Sequence, residues 1–340
     1  MADSSRPPTI RSVAAHAGVS KSLVSLVLSG SSSVSADKRA AVENAIRQLG
    51  YRPNHSARSL SRRRTNVVGV LLNDLRNPWF VDCLEGMNDV LRRHCLKMYL
   101  ADGRLDRSSD ESLVNSFVEL GLDGIVLIGT RAPTAAVAEA AALMPTVVVA
   151  SRDLVPPSVD VVSNDDELGS RLAVDHLVGL GHTSVAHIRG IGAVADIRAQ
   201  SYRDAMVAHG LGKYIRIEQS DMTEDEGRRA AMTLLGSPSP RPTALYAVND
   251  IVAVGAMTAC QDLGVRVPDD VSIVGYDDTS IAQLRHVWLT SVDNASAEVG
   301  RRAGEALVRR IADPSAVGSL VLMPPTLQVR GSTAEPSQSN

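Results

Sequence analysis

The 340-residue chain is too long for one ordinary hydrophobic core and long enough for two or three domains. Charged residues make up 21% and apolar residues 44%, a globular balance, and no apolar run reaches membrane-spanning length. The N-terminus is polar and carries no signal-peptide pattern, so the expected location is the cytoplasm, with no membrane partner. Cys83, Cys95 and Cys260 lack metal-ligand spacing and read as buried apolar residues in a reducing compartment. The net charge of −3 is unevenly spread: residues 1–66 hold eleven Lys or Arg against three acids, a net +8, which leaves −11 for the remainder. A basic head on an acidic body points to a polyanion partner for the head alone. A basic solvated tail is the plain alternative, and folding signals in the same segment argue against it.

Thr9 can cap a short helix with Ile10, Val13, Ala14 and Ala17 on its apolar stripe. Gly18 ends it, Val19 packs the turn, and Ser20 caps a second helix with Leu23, Val24, Val27 and Leu28 at helical spacing. Ala14 is small where two helices cross, and Gly18 supplies a left-handed turn. That is the helix-turn-helix pattern, whose second helix enters the major groove. A third helix follows Ser35 and runs to Gly50, with Ala41, Val42, Ala45, Ile46 and Leu49 expected inside. A plain three-helix bundle fits the same periodicity, and the basic charge favours DNA. The second helix then presents Lys21, Ser22, Ser25 and Leu26 outward. Lys21 is the expected base reader, with Ser22 assisting and Ser25 nearer phosphate. Leu26 offers only apolar contact, for example to a thymine methyl group.

Tyr51-Arg52-Pro53-Asn54 stops the third helix, because Pro53 disfavours helical geometry at Arg52. Asn54 can cap a short helix from His55 to Ser61, before Arg62-Arg63-Arg64. A helix this short needs DNA or a partner helix for stability. Leu60, apolar and followed by three arginines, suits a wedge between base steps in the minor groove. An ordinary interdomain linker is the alternative.

Beyond residue 66, apolar runs alternate with helical patterns. Val67–Leu72, Lys97–Ala101, Gly124–Ile128, Thr146–Ala150, Val185–Ile188, Ala244–Ala247 and Val271–Val274 read as strands. Val81–Arg93, Glu167–Leu180, Asp196–His209 and Glu224–Leu235 read as helices between them. This is α/β alternation, and it predicts parallel sheets with helices on both faces, in a run too long for one open sheet. Ligands in such folds bind at the carboxyl ends of strands. Asp74, Asn77, Trp79 and Phe80 follow the first strand, and Ser151 with Arg152 follows the fourth. Arg198 lies beyond the Val185 strand, while Asn249-Asp250 and Asp277-Asp278 end two later ones. Arg with Asn and Asp can hold a polyhydroxylated ligand, and Trp79 or Phe80 can cover a sugar ring face. Asn249 can equally brace its loop, and Asp250 and Asp278 read as caps of following helices. No nucleotide-phosphate loop, nucleophile elbow or metal-spaced His pair is present, so no enzyme, cofactor or metal is expected.

The segment Ile10 to Ser20, Val24-Ser25, Tyr51 to Asn54 and Ala57 to Leu60 resembles the LacI/GalR family of bacterial transcriptional repressors. The likeness continues through Asn77 to Phe80, Asp123-Gly124, Asn249-Asp250, Val274 to Asp278 and Val329 to Ser332. The resemblance implies an all-α helix-turn-helix head over residues 1–53 and a hinge helix and linker over 54–66. It implies a two-lobed body of the periplasmic-binding-protein type I fold over 67–333, and residues 334–340 are expected as a disordered tail. It implies a homodimer on a pseudo-palindromic double-stranded operator, with Asn54 capping the hinge, Leu60 as the paired wedge and Ala57 facing the groove. Thr9, Ser20 and Arg58 join the DNA-facing set. The interface is expected around Phe80–Leu91, and the tail has no leucine heptads for a tetramer. A small sugar-like effector between the lobes is implied, with Arg198, Asn249 and Asp277 at positions that commonly touch it. This chain departs from the pattern in three places. Ser151-Arg152 stands where Asp-Arg is frequent, Met222 where an aromatic is frequent, and Leu26 where many members carry Arg. A pentose, a hexose, a glycoside and a nucleobase-like molecule all remain open. An exported solute-binding protein of the same body fold would carry a signal peptide and no basic head.

Overall fold

Thr9 accepts a hydrogen bond from the Ser12 amide while the Ser12 hydroxyl accepts from the Thr9 amide, a reciprocal cap that starts α1 (Ile10–His16). The computed structural model describes residues 8–28, 30–51, 64–104, 109–130, 134–151, 156, 158–236 and 241–337. The chain divides into two compact units, Met1–Thr65 and Asn66–Asn340. In the first, α1 packs with α2 (Lys21–Leu28) and α3 (Ala36–Leu49) around Val13, Val24, Val27, Val34, Val42 and Ala45. Gly18 sits in the left-handed region at φ +63°, which lets α2 turn back across α1. Ala41, expected inside, is exposed. It lies about 100° around the helix from Val42, past the edge of the stripe that Val42, Ala45 and Leu49 define.

The second unit begins with β1 (Val67–Leu72), α4 (Pro78–Arg93), β2 (Lys97–Asp102), α5 (Asp110–Glu119), β3 (Gly124–Ile128), α6 (Thr134–Leu143), β4 (Thr146–Val149) and β5 (Asp160–Asn164). The chain then crosses into a second sheet. It continues through α7 (Asp166–Gly179), β6 (Val185–Arg189), α8 (Ala193–Ala208), β7 (Arg216–Gln219), α9 (Glu224–Gly236), β8 (Ala244–Ala247), α10 (Asp250–Asp262), β9 (Ser272–Tyr276) and β10 (Thr290–Asp293). It returns at Asn294 for α11 (Ser296–Ala312) and β11 (Leu320–Met323), and crosses a third time to β12 (Thr326–Gln328). The sheet orders are β11-β5-β4-β3-β1-β2 and β12-β10-β9-β8-β6-β7. All described pairings are parallel except β10 with β12. The two-lobed, parallel-sheet expectation therefore holds.

Buried strands of Val, Ile and Leu make the lobe cores, as expected for sheets covered on both faces. The C-terminal edges of β1 and β4 in one lobe, and of β8 and β9 in the other, carry the candidate residues. Helices α4 and α11 cross at backbone contact: a Cβ on Gly86 would stand 1.9 Å from the Ala297 carbonyl oxygen, and one on Gly300 would stand 1.8 Å from that of Cys83. This contact fixes the start of α4 against the start of α11, and both starts reach the cleft.

Three expectations are corrected here. Cys83 and Cys260 are buried but Cys95 is exposed, in a left-handed turn after α4. Asp278 caps no helix, and Asp250 is the first residue of α10, whose cap is Asn249. Ala334 is held rather than loose: its amide donates to Ser272 Oγ at 3.1 Å, and its carbonyl lies 2.9 Å from His182 Nε2. Among the described residues, no helix is long and apolar enough to cross a membrane.

Candidate functional site

In the head, Ser20 Oγ accepts from the Leu23 amide at 3.2 Å and starts α2. Val24 and Val27 are buried, whereas Lys21, Ser22, Ser25 and Leu26 are exposed together on one face. Leu26 is 42% exposed even though four other apolar residues of α2 fill the core. A helix N-terminus with unpaired amides, a lysine and two hydroxyls can meet phosphate oxygens and base edges. Thr9 and Ser20 are exposed at the starts of the two helices.

In the body, Arg198 projects from α8 into the cleft and is only 4% exposed. Its Nε donates to Asp166 Oδ1 at 2.9 Å and its Nη1 donates to the Val248 carbonyl at 2.6 Å. The guanidinium carbon lies 3.5 Å from the centre of the Tyr276 ring, and Nη1 lies 3.7 Å from Asp277 Oδ1. That last separation is an ion pair without a hydrogen bond. Asp277 takes its hydrogen bonds instead from Asn294 Nδ2, at 2.9 Å, and from the Asn77 side chain. Burial pushes the Asp277 carboxyl up to about 6, against the opposing pull of Arg198.

The opposite lobe supplies Asn77 and Trp79. Asn77 Oδ1 accepts from the Trp79 amide at 3.0 Å and caps α4, with Pro78 at the first helical position. Trp79 Nε1 donates to Asn294 Oδ1 at 2.9 Å, and its ring meets Phe80 edge to face at 5.2 Å. A polar chain therefore runs from Trp79 through Asn294 to Asp277, across the cleft. In the core of the lobe that carries Arg198, His187 stacks between Tyr202 and Tyr246, at 5.3 and 4.5 Å, and burial pushes it down to about 3, so it stays neutral. Among the described residues, no group of three or more His, Cys, Asp or Glu could hold a metal ion.

Residues 9–54 match the family described as bacterial regulatory proteins, lacI family, and residues 174–333 match the periplasmic binding protein-like domain. The ribose operon repressor of Escherichia coli (strain K12) is 31% identical over 330 residues, covering 95% of this chain and 99% of that protein. The chain belongs to the LacI family. It is a DNA-binding transcriptional regulator, and its relatives are named as repressors and regulators rather than enzymes. Among solved structures, the lac repressor dimer bound to operator and the anti-inducer ONPF superposes with a TM-score of 0.83 at 25% identity, covering 97% of this chain and 100% of that one. A CelR–cellobiose complex superposes with a TM-score of 0.70 at 30% identity, covering 96% of this chain and 99% of that one.

In this LacI-family body, the structure brings Asn77, Trp79, Arg198 and Asp277 together, with Phe80 against Trp79. Ser151 is buried at the end of β4. Met222 lies over Gly190, beside Val248, in a left-handed conformation at φ +52°. Asn249 spends its side-chain oxygen on the α10 cap, accepting from Val252 at 3.0 Å, which is the loop-bracing alternative. Asp74 stands apart on the rim, paired with Arg76 at 2.6 Å and Arg104 at 3.2 Å. Asn54, Ala57, Arg58, Leu60 and Arg152 lie outside the described residues. Sequence reasoning missed Asp166 and Asn294, which sit at the first two lobe crossings. The apolar Val287-Trp288-Leu289 run, followed by the β-branched Thr290 and Val292, was the available signal for β10.

Proposed function

We propose that this regulator is a cytoplasmic homodimeric repressor whose grip on a pseudo-palindromic operator is controlled by a small, sugar-like molecule bound between its lobes. Residues 1–53 read the operator, 54–66 form the hinge, and 67–333 sense the ligand. The observation that carries the reading is the meeting of Arg198, Asp277 and Asn294 with Asn77 and Trp79 at facing strand ends. Asp166 already balances Arg198, so Asp277 leaves the described cleft a net acceptor. That favours an uncharged ligand rich in hydroxyl donors over a phosphorylated one. A relative named for the ribose operon and a neighbour solved with cellobiose support a sugar. Solvent-exposed Val81 on α4, with Tyr99 and Leu100 on the edge strand β2, supports pairing of two bodies through this side. A neighbour solved as a dimer on operator DNA supports the same arrangement.

The head is tested by selecting duplexes for the full chain from a randomised pool and measuring affinity against salt. Two related half-sites and a steep linear fall of log affinity with log salt are expected. Leu26→Arg should shift the selected base facing position 26 toward guanine, by about 1–3 kcal/mol where the bidentate geometry is reached. Sequence-independent binding by the parent would contradict the reading.

A further inference from the structure

Asp277, the carboxylate at the centre of the cleft, is held at φ +99°, and Asp278 follows at φ +47°. Two consecutive non-glycine residues in the left-handed region do not stay there unaided, so the surroundings must impose the turn. The imposing groups belong to the Asn249-Asp250 and Val329-to-Ser332 motifs, which the ligand contacts leave unexplained.

Asp250 is 1% exposed and lies beneath the turn. Its Oδ2 accepts from the Thr279 amide at 2.7 Å and from Thr279 Oγ1 at 2.9 Å. Its Oδ1 accepts from Ser291 Oγ at 2.6 Å, and the same Ser291 oxygen accepts from the Asp278 amide at 3.1 Å. The amides of Asp278 and Thr279 are thus both tied to one buried carboxylate, one directly and one through Ser291. Gly275 leaves room for it, since a Cβ there would stand 2.4 Å from Asp250 Oδ1. From the outside, Arg330 Nη1 donates to Asp278 Oδ1 at 2.5 Å and to the Leu289 carbonyl at 2.8 Å.

We propose that Asp250 is a positioning residue of the ligand site: acting through Thr279 and Ser291, and backed by Arg330, it holds the strained turn that aims the Asp277 carboxylate into the cleft. This rests on the proposed cleft ligand, which Asp250 does not touch. Hydrogen bonds fix the turn, so the geometry, more than the charge, carries the effect.

The test uses the full chain and three variants: Asp250→Ala, Ser291→Ala and the near-isosteric Asp250→Asn. Two readouts are taken: amide hydrogen exchange over residues 277–284, and binding of D-ribose and of cellobiose by calorimetry. Ser291→Ala removes one leg of the brace with little threat to folding. It should speed exchange in this segment while the β8 and β9 amides stay protected, and weaken sugar binding about tenfold. Asp250→Ala should do more, and Asp250→Asn should recover most of the loss. Exchange over 277–284 unchanged in Ser291→Ala and Asp250→Ala overturns the proposal, whether or not a sugar binds. Faster exchange with undiminished sugar affinity overturns it as well. If the parent binds neither sugar, the sugar reading fails on its own, and the exchange result alone decides whether Asp250 holds the turn.

Discussion

Arg198→Met is expected to lower the stability of the body by about 3–5 kcal/mol near neutral pH. The guanidinium is buried between Asp166 and Asp277 and rests on the Tyr276 ring. Methionine keeps much of the volume, so the loss reports the charge and not a cavity. It takes the Arg198 cation away from the buried Asp166 and Asp277 carboxylates and the Nη1 donor away from the Val248 carbonyl. The pH dependence has a definite sign. Asp277 is already raised to about 6, and removing Arg198 raises it further. An unfolded aspartate titrates near about 3.9, so between the two values the folded variant binds a proton that the unfolded chain does not. The parent shares that proton below about 6, so relative to the parent the variant loses stability as pH rises from about 6 through its own higher value, and the penalty shrinks on acidification. Urea unfolding at neutral pH and at about pH 5.5 reads both effects. A loss under about 1 kcal/mol at neutral pH, or a penalty that grows as pH falls, would show that Arg198 does not hold this ion pair.

Gly300→Ala should cost about 3 kcal/mol or more, at or above the top of the usual overpacking range. The added methyl would lie 1.8 Å from the Cys83 carbonyl oxygen, which is backbone and cannot swing away. The helices must then separate, and the buried Cys83, Met87, Val299 and Ala303 around the crossing lose contact. Asn294 and Asn77 precede these helices, so separation should also weaken the polar chain across the cleft. Gly179→Ala, at the end of α7 with nothing within 4 Å of the new methyl, serves as a control and should be neutral or mildly stabilising. Equal unfolding midpoints for Gly300→Ala and the parent would mean that α4 and α11 do not cross this closely.

How much of this was legible in the sequence depended on periodicity. The three head helices and six of the seven strands read from apolar runs were legible because each buries a continuous face, as in Val67–Leu72 and Gly124–Ile128, whereas the edge strand β2 was read from its apolar residues although Tyr99 and Leu100 are exposed. The strands that escaped are short, polar or at edges. β7 reads Arg-Ile-Glu-Gln, and β11 alternates exposed Leu320 and Leu322 with half-buried neighbours. In the cleft, Arg198 and Asp277 were legible as polar residues beyond buried strands. Their partners were not, because Asp166 and Asn294 come from lobe crossings far away in sequence. Asp250 and Asp278 read as helix caps because an acid after a strand usually is one. Only the fold shows one gripping Thr279 and Ser291 and the other gripping Arg330.

The measurement that bears most directly on the account is a sugar titration of the preformed complex between the full chain and its selected operator, read by fluorescence anisotropy, for the parent and for Asp277→Asn. A ligand shifts the DNA equilibrium only by its difference in affinity between the DNA-competent and incompetent states, so release and cleft binding must move together. The account predicts that one of a panel of pentoses, hexoses and disaccharides releases the parent from DNA, and that Asp277→Asn needs at least about tenfold more of it, the loss expected for one charged hydrogen bond. Release of both proteins at the same concentration, or of the parent by no member of the panel, would contradict it.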